Sequence, residues 1–236
     1  MSQPVQLSGI AWDHSRALPP LVATAQRYEE THRGVRICWQ KRTLDEFGHA
    51  PIDVLAQKFD LIVIDHPWAG FCFERMLVLD LARVAPAAAL AELKQNSVGP
   101  SFDSYVYQDK ILALPIDAAA PASSWRPDLL ERAGMQPPQT WDEAVALSRR
   151  KLAVIPGFNA DLFLHFVMLL KALGAEPFAG HEKIAPRDIM RRAAEMLRQL
   201  AEPMPRAIFE LNPILVAETV TTTDDGSVPG ACTLRD

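Results

Sequence analysis

The chain has 236 residues, of which 49% are hydrophobic and 22% are charged, and its formal net charge is −5. This composition is normal for a globular protein with a real core, so it argues against extended disorder. The 24 lysines and arginines are dispersed and form no basic stripe, which argues against nucleic acid as a partner. The longest apolar run, near Leu162–Leu170, is far too short to span a bilayer.

Strand and helix signals alternate through the N-terminal part of the chain. The third predicted strand is apolar nearly throughout, as expected where helices cover both faces of a parallel sheet. The order of elements therefore predicts an α/β fold. The predicted elements are a strand over 6–12, a helix from Leu18 to about Thr31, a strand over 35–40, a helix within 44–59 and a strand over 59–65.

The segment from Tyr107 to Arg150 contains one further strand signal and two helix starts. The apolar run 111–114 is stopped by Pro115, which predicts a buried strand that ends at a crossover. Pro127 suits the first turn of a helix, and Gly134 suits the position just past its end. Thr140, three residues before a glutamate, predicts a capping box at the start of the next helix.

Beyond residue 151 the pattern is mostly helical. Asn159 and Asp161 are predicted to cap a helix that runs to Leu173, and a second helix is predicted over 187–200. A helix or an extended segment is expected after Asn212. Residues 221–236 show no apolar period, so we expect an irregular, mobile tail without ligand contact.

Several segments together resemble the extracellular solute-binding proteins of ABC importers, in the sugar-binding branch related to maltose-binding protein. They are Gly-Ile-Ala-Trp-Asp-His at 9–14, Tyr-Glu-Glu-Thr-His-Arg-Gly-Val at 28–35, Phe-Asp-Leu-Ile-Val-Ile-Asp at 59–65, and the stretch 107–150 with its Leu-Pro-Ile-Asp and Thr-Trp-Asp-Glu. The resemblance covers roughly residues 6–150. Arg33 replaces the proline that is usual in the second of these motifs.

The resemblance implies a fold of the class II periplasmic-binding-protein type: α/β, with two lobes joined by a hinge. The corresponding division is an N-terminal α/β lobe over 1–116, a second, mostly helical lobe over 117–220, and the irregular tail over 221–236. Family chains usually continue well beyond this length, so the second lobe is expected to be incomplete and the chain to be C-terminally truncated. The alternative is a compact variant whose tail is polar.

Ligands of open α/β sheets bind outside the carboxyl ends of the strands. Carboxylates and imidazoles can hydrogen-bond a hydroxyl-rich ligand, and a tryptophan ring can offer it an apolar face. The alternatives are that the tryptophans pack in the core, that the first aspartate caps a helix, and that the histidines are ordinary loop residues. The candidate ligand-binding residues in this part of the chain are Trp12, Asp13 and His14 after the first strand, Asp65 and His66 after the third, and Asp117 at the crossover.

Asn159 is a further candidate, at the start of a helix whose free N–H groups would favour a polar or anionic ligand group. The two Asp-His pairs could also bind a metal ion or act in acid–base catalysis. However, no metal-ligand spacing, nucleophile motif or phosphate loop supports either. We therefore expect no metal, no cofactor, no catalytic residue and no enzyme activity, and the three widely spaced cysteines indicate neither a metal site nor a disulfide framework.

The resemblance implies the solute-binding component of an ABC importer, which captures a small polar, sugar-like solute in a cleft between its lobes. Closure around the solute would then be read by a membrane permease, and we expect a monomer in the periplasm. No secretory signal is visible at the N-terminus, however. The alternative is a cytoplasmic protein of the same fold, a sensor or an enzyme with its site at the Asp-His strand ends. The missing signal favours that alternative, and the lack of catalytic motifs counts against it.

Overall fold

The structure is a computed structural model that describes residues 5–120, 122–180, 182–222 and 232–235. The chain divides into two compact units, Met1–Ala118 and Ala119–Asp236. The division falls close to the boundary that the sequence predicts at residue 116.

The first unit alternates strands and helices in its first half and ends in a small hairpin. Three short 3₁₀ turns, His66–Trp68, Leu81–Arg83 and Asp103–Tyr105, lie between the later elements. Its strands and helices are β1 (Val5–Trp12), α1 (Leu18–Thr31), β2 (Val35–Arg42), α2 (Leu44–His49), α3 (Ile52–Ala56), β3 (Leu61–Ile62), α4 (Ala69–Arg75), α5 (Ala87–Asn96), β4 (Val106–Tyr107) and β5 (Lys110–Ile111).

The sheet of this unit is parallel, with the strand order β2-β1-β3. β1 and β2 pair along their whole length, from Val5 opposite Val35 to Trp12 opposite Arg42. β3 pairs with β1 over two residues, but the Val63 N–H continues the strand by donating to the Ile10 carbonyl at 3.0 Å. The predicted α/β fold is confirmed, and all three strands end at the same edge of the sheet.

The region 44–59 contains two helices where the sequence predicts one. Ala50 between them is extended, with ψ at 132°, because the residue before Pro51 is disfavoured in the helical conformation. The first of these helices has a capping box in which the Thr43 hydroxyl accepts from the Glu46 N–H and the Glu46 carboxylate accepts from the Thr43 N–H.

The predicted strand over 111–114 is wrong in its extent. Only Lys110–Ile111 is a strand, and it pairs antiparallel with Val106–Tyr107. Gln108 and Asp109 both have positive φ, 46° and 62°, and form the two-residue turn of a hairpin. Gln-Asp is not a usual sequence for such a turn, so the hairpin carried no clear signal.

The second unit is mostly helical and includes a three-stranded sheet of order β6-β8-β7. A 3₁₀ turn, Arg206–Glu210, precedes its last helix. Its elements are β6 (Ala122–Trp125), α6 (Pro127–Arg132), α7 (Trp141–Arg149), β7 (Ala153–Val154), α8 (Asn159–Ala172), α9 (Arg187–Ala201), α10 (Pro213–Thr222) and β8 (Cys232–Arg235).

The largest core of the molecule lies in this second unit, where apolar residues of β7 and of the helices α7 to α10 pack together. Its fully buried side chains include Val154, Leu169, Leu170, Leu200 and Val216. Gly157 lies against the 3₁₀ turn, and a Cβ at this position would be 2.7 Å from the Ile208 carbonyl oxygen. A side chain at residue 157 is therefore incompatible with the observed backbone packing.

The helix starts and ends of the second unit follow the sequence signals in most places. The capping box of Thr140 and Glu143 is present, and Gly134 has a φ of 65° just past α6. The predicted cap of α8 is wrong. Phe158 is the N-cap and makes no side-chain cap hydrogen bond, whereas Asn159 is already the first helical residue. Because the chain turns into the helix earlier than the polar side chains suggest, neither Asn159 nor Asp161 occupies the capping position.

The predicted irregular tail is also corrected by the structure. α10 continues through Thr222, and Cys232–Arg235 forms β8, which lies between β6 and β7. A four-residue strand that pairs on both sides satisfies its backbone groups regardless of its side-chain pattern, so the absence of an apolar period concealed it. The expected mobility of residues 223–231 lies outside the described residues.

Candidate functional site

The carboxyl ends of β1, β2 and β3 bring several polar residues of the first unit to one edge of the sheet. The Asp13 N–H donates to the Arg42 carbonyl at 2.7 Å, and Asp65 lies two residues beyond the last backbone hydrogen bond between β1 and β3. We call this edge the strand-end surface. It comprises Trp12, Asp13, His14, Asp65, His66 and Asp117.

The backbone immediately before Asp65 is held by two side chains from different elements. Arg42, at the end of β2, donates from Nη2 to the Val63 carbonyl at 2.7 Å. Tyr105 donates from its hydroxyl to the Ile64 carbonyl at 3.2 Å. Two consecutive carbonyl groups are therefore anchored, and the position of the Asp65 Cα follows from them.

The Asp65 carboxylate has no hydrogen-bond or ion-pair partner among the described residues, although it is the N-cap of the 3₁₀ turn His66–Trp68. Asp65 is an exposed residue. The surrounding protein nevertheless removes part of its hydration, and this desolvation raises the pKa of Asp65, while the positive charges of His66 and Arg42 lower it to a smaller extent. A ligand O–H or N–H group that donates to this carboxylate would compensate for the lost hydration.

Asp13 and His14 are both engaged in local contacts. Asp13 Oδ2 lies 2.8 Å from the Lys41 ammonium, and both side chains are largely exposed. His14 Nδ1 accepts from the Arg16 N–H at 3.1 Å. The N-cap of α1 is Ala17, without a side-chain cap, so the alternative of Asp13 as a helix cap is not observed.

Trp12 is a core residue rather than an exposed ring. Its side chain is only 9% exposed and packs on Phe47 with ring centroids 5.0 Å apart. The His14 ring is stacked against it at 6.4 Å. Trp12 therefore packs in the core, as the alternative states. It lies beneath the strand-end surface, and little of its ring is exposed for contact with a sugar.

Asp117 is bound by Arg16, which follows β1. Arg16 donates from Nε at 3.1 Å and from Nη2 at 2.5 Å to the same oxygen, Asp117 Oδ2. Desolvation and, after it, the negative charges of Asp65 and Asp117 raise the pKa of Tyr105, so its phenol lies within electrostatic reach of both carboxylates. Asp117 thus lies at the same edge as Asp65, and its assignment as a ligand contact stays a prediction.

The two remaining candidates are exposed. His66 lies in the 3₁₀ turn after Asp65, and Asn159 lies in the second unit at the first position of α8. The N-terminus of α8 has no side-chain cap from Phe158. The assignment of Asn159 as a ligand contact stays a prediction.

Sequence reasoning missed Arg42 and Tyr105, the two residues that anchor the backbone before Asp65. Arg42 is 6% exposed, and its guanidinium lies 5.0 Å from the centroid of the Phe47 ring. An arginine at the end of a strand gives no sequence signal that it turns inward, since most arginines are exposed. Only the contact between β2 and the segment after β3 reveals this role.

Two properties of the described residues bear on metal binding and on membrane insertion. Within the described ranges, no group of three or more histidine, cysteine, aspartate or glutamate residues is placed to hold a metal ion. No helix in the part of the chain that the structure covers has the length and apolar character needed to cross a membrane.

No protein-family model matches the sequence, and no curated protein matches it significantly. Solved structures do match. An ABC-transporter solute-binding protein from Agrobacterium radiobacter K84, in complex with ribitol, superposes with a TM-score of 0.75 at 18% identity. That match covers 99% of this chain and 60% of the other.

Two further structures match over almost the whole chain. Maltose-bound MalE3 of T. maritima has a TM-score of 0.68 at 14% identity, with 98% of this chain and 61% of the other covered. A de novo designed esterase matches with a TM-score of 0.63 at 14% identity, covering 98% of this chain and 60% of the other.

The chain therefore spans about 60% of the length of the structures that it resembles. The first of these structures is described as an ABC-transporter solute-binding protein, and the third as a designed esterase. The sequence identities are too low to carry a function across, but the superpositions are extensive. This chain has the fold of the ABC-transporter solute-binding proteins.

Proposed function

We propose that this chain is the solute-binding component of an ABC importer and that it holds a small, hydroxyl-rich solute at the strand-end surface. The observation that carries the proposal is the Asp65 carboxylate. It is anchored through its backbone, partly desolvated, and without a partner among the described residues. Such a group is suited to accept hydrogen bonds from ligand hydroxyl groups.

The similar structures support this ligand class. One of them is in complex with ribitol and another is bound to maltose, which are a linear polyol and a disaccharide. We propose Asp13, His14, His66 and Asp117 as further contacts around Asp65, since they lie at the same edge of the first unit. Asn159, at the start of α8, is a separate candidate for a polar group of the ligand.

The proposal extends to the partner and the location of the chain. A solute-binding component delivers its ligand to a membrane permease, so we propose an ABC permease as the partner and the periplasm as the site of action. The chain would act as a binding protein and not as an enzyme, because its strand-end surface presents hydrogen-bonding groups without a nucleophile motif.

The proposal is tested by calorimetric titration of the purified chain with ribitol, maltose and maltotriose. We expect at least one of them to bind, and Asp65→Asn to weaken that binding by roughly 1–3 kcal/mol, because the amide replaces a charged acceptor. Asp60→Asn is the matched control. Asp60 precedes β3 at the opposite edge of the sheet, where it accepts hydrogen bonds from Ser8, and its substitution should leave the affinity unchanged.

Equal affinity of the wild type and Asp65→Asn for a bound solute would remove Asp65 from the site. No binding of these or other polyols and sugars by the folded chain would contradict the ligand class itself.

A further inference from the structure

Arg42 is buried, with 6% of its surface exposed, and it contacts the backbone two residues before the proposed ligand contact Asp65. Its Nη2 group donates to the Val63 carbonyl at 2.7 Å, and its guanidinium packs over the Phe47 ring. Its Nε and Nη1 groups are buried without a hydrogen-bond partner in the described structure. A buried charge with unpaired N–H groups lowers the free energy of unfolding, so we expect it to serve a function at the strand-end surface that offsets this cost.

The charges that face Arg42 come from two carboxylates. Burial lowers the pKa of Arg42, while the negative charges of Asp65 and Glu46 raise it to a smaller extent. The guanidinium stays protonated at any physiological pH, since its ordinary pKa lies far above 7. Arg42 is thus a permanent positive charge beneath the surface, close to a carboxylate that has no direct ion-pair partner among the described residues.

We propose that Arg42 is a positioning residue for Asp65: it fixes the backbone before Asp65 through the Val63 carbonyl and places a buried positive charge near the carboxylate. The proposal goes beyond the contact residues themselves, and only its ligand-binding consequence rests on the proposed function. Tyr105 complements Arg42 by holding the next carbonyl, that of Ile64, from the other side.

The other titratable and charged groups around Asp65 are consistent with this positioning role of Arg42. His66 is the next residue and is exposed. The Tyr105 phenol is neutral at pH 7 because burial raises its pKa, and Asp117 is bound by Arg16. Lys41, next to Arg42 in β2, is on the exposed side and pairs with Asp13. Arg42 is therefore the buried positive charge that acts on Asp65 in the described part of this unit.

The test is an NMR titration of the Asp65 side-chain carboxyl carbon in the free protein. Arg42→Met removes the charge and keeps an unbranched apolar side chain, so we expect the pKa of Asp65 to rise further. Lys41→Met removes an equal charge from the neighbouring exposed position and should leave the Asp65 pKa unchanged. An Asp65 pKa that is the same in Arg42→Met and the wild type would overturn the proposal.

If Arg42→Met does not fold, Arg42→Lys and Tyr105→Phe decide the question. Arg42→Lys keeps the charge but loses the planar guanidinium group that donates to the Val63 carbonyl. We therefore expect the amide resonances of residues 63–66 to shift while the Asp65 pKa changes little. Tyr105→Phe should shift the same resonances. Unchanged resonances in both variants would contradict the positioning role.

A binding cycle with ribitol or maltose links the role to function. We expect Arg42→Lys to weaken binding several-fold in the wild-type background and to have little further effect in Asp65→Asn. Equal effects in both backgrounds would show that Arg42 does not act through Asp65. Because the titration is done without ligand, it remains decisive even if neither sugar nor polyol binds.

Discussion

Arg16 donates two hydrogen bonds to a single oxygen of Asp117, from Nε at 3.1 Å and from Nη2 at 2.5 Å. The contact joins the segment after β1 to the end of the first unit, 101 residues further along the chain. The Asp117 side chain is 29% exposed, and that of Arg16 is 50% exposed. The pair thus links two parts of the strand-end surface while remaining accessible to solvent.

Solvent screening limits the stability that this pair can contribute. In a double-mutant cycle with Arg16→Gln and Asp117→Asn, we expect a coupling free energy of about 0.2–1 kcal/mol, measured by urea unfolding. The coupling should decrease as the ionic strength rises. Lys94 and Asp103, a similarly exposed pair at 2.7 Å, provide a control of the same charge type. A coupling well above 2 kcal/mol at physiological salt would mean that Asp117 is effectively buried.

Asp65→Asn is expected to stabilise the free protein at neutral pH while it weakens ligand binding. Desolvation raises the pKa of Asp65 in the folded state, so the folded protein takes up a proton at Asp65 more readily than the unfolded chain does. Stability is therefore lost as the pH rises through this pKa. The asparagine, which resembles the neutral acid, avoids that loss.

The measurement is the urea midpoint of the wild type and Asp65→Asn from pH 3 to pH 7. The difference should be largest at neutral pH and should vanish below the ordinary pKa of an aspartate, about 3.8, where both side chains are neutral. A destabilised Asp65→Asn at pH 7 would show that the carboxylate has a stabilising partner in the free protein.

Gly157→Ala is expected to destabilise the second unit by about 1–3 kcal/mol, because the added methyl group would overlap the backbone. The ideal Cβ position is 2.7 Å from both the Ile208 carbonyl oxygen and the Phe209 Cα, neither of which can rotate away. Gly48→Ala is the control, since a Cβ at residue 48 of α2 meets nothing within 4 Å.

Urea unfolding of the two variants provides the measurement. Gly48→Ala should be neutral or slightly stabilising, because alanine is favoured over glycine within a helix. If Gly157→Ala had wild-type stability, the segment 155–158 and the 3₁₀ turn Arg206–Glu210 would have to be less closely packed than the structure shows.

The elements with strong local signals were predictable from the sequence. The parallel arrangement of β1 and β2 follows from apolar strands separated by a helix, and the Thr140–Glu143 capping box was visible as a spacing of three residues. The position of Asp65 and Asp13 at a common edge also follows, because parallel strands in one sheet end on the same side. These are consequences of chain periodicity and connectivity.

The errors arose where pairing or packing overrides the local pattern. The hairpin at 106–111 depends on two turn residues with positive φ, and the sequence Gln108-Asp109 does not predict that conformation. β8 is stabilised by backbone pairing to strands on both sides, which leaves no trace in the apolar pattern of the last residues. The burial of Trp12 could be weighed from the sequence but not decided.

The sequence by itself determined the α/β class, the places where the parallel strands end, and the polar residue types available there. These depend on interactions between residues near one another in the chain. Only the tertiary structure decided that Arg42 turns inward, that Trp12 packs on Phe47, and that Arg16 occupies Asp117 while Asp65 has no direct partner among the described residues. Those outcomes depend on which segments, distant in the chain, come within hydrogen-bonding distance of one another. Burial and pairing by those segments then set the charge and the availability of each carboxylate.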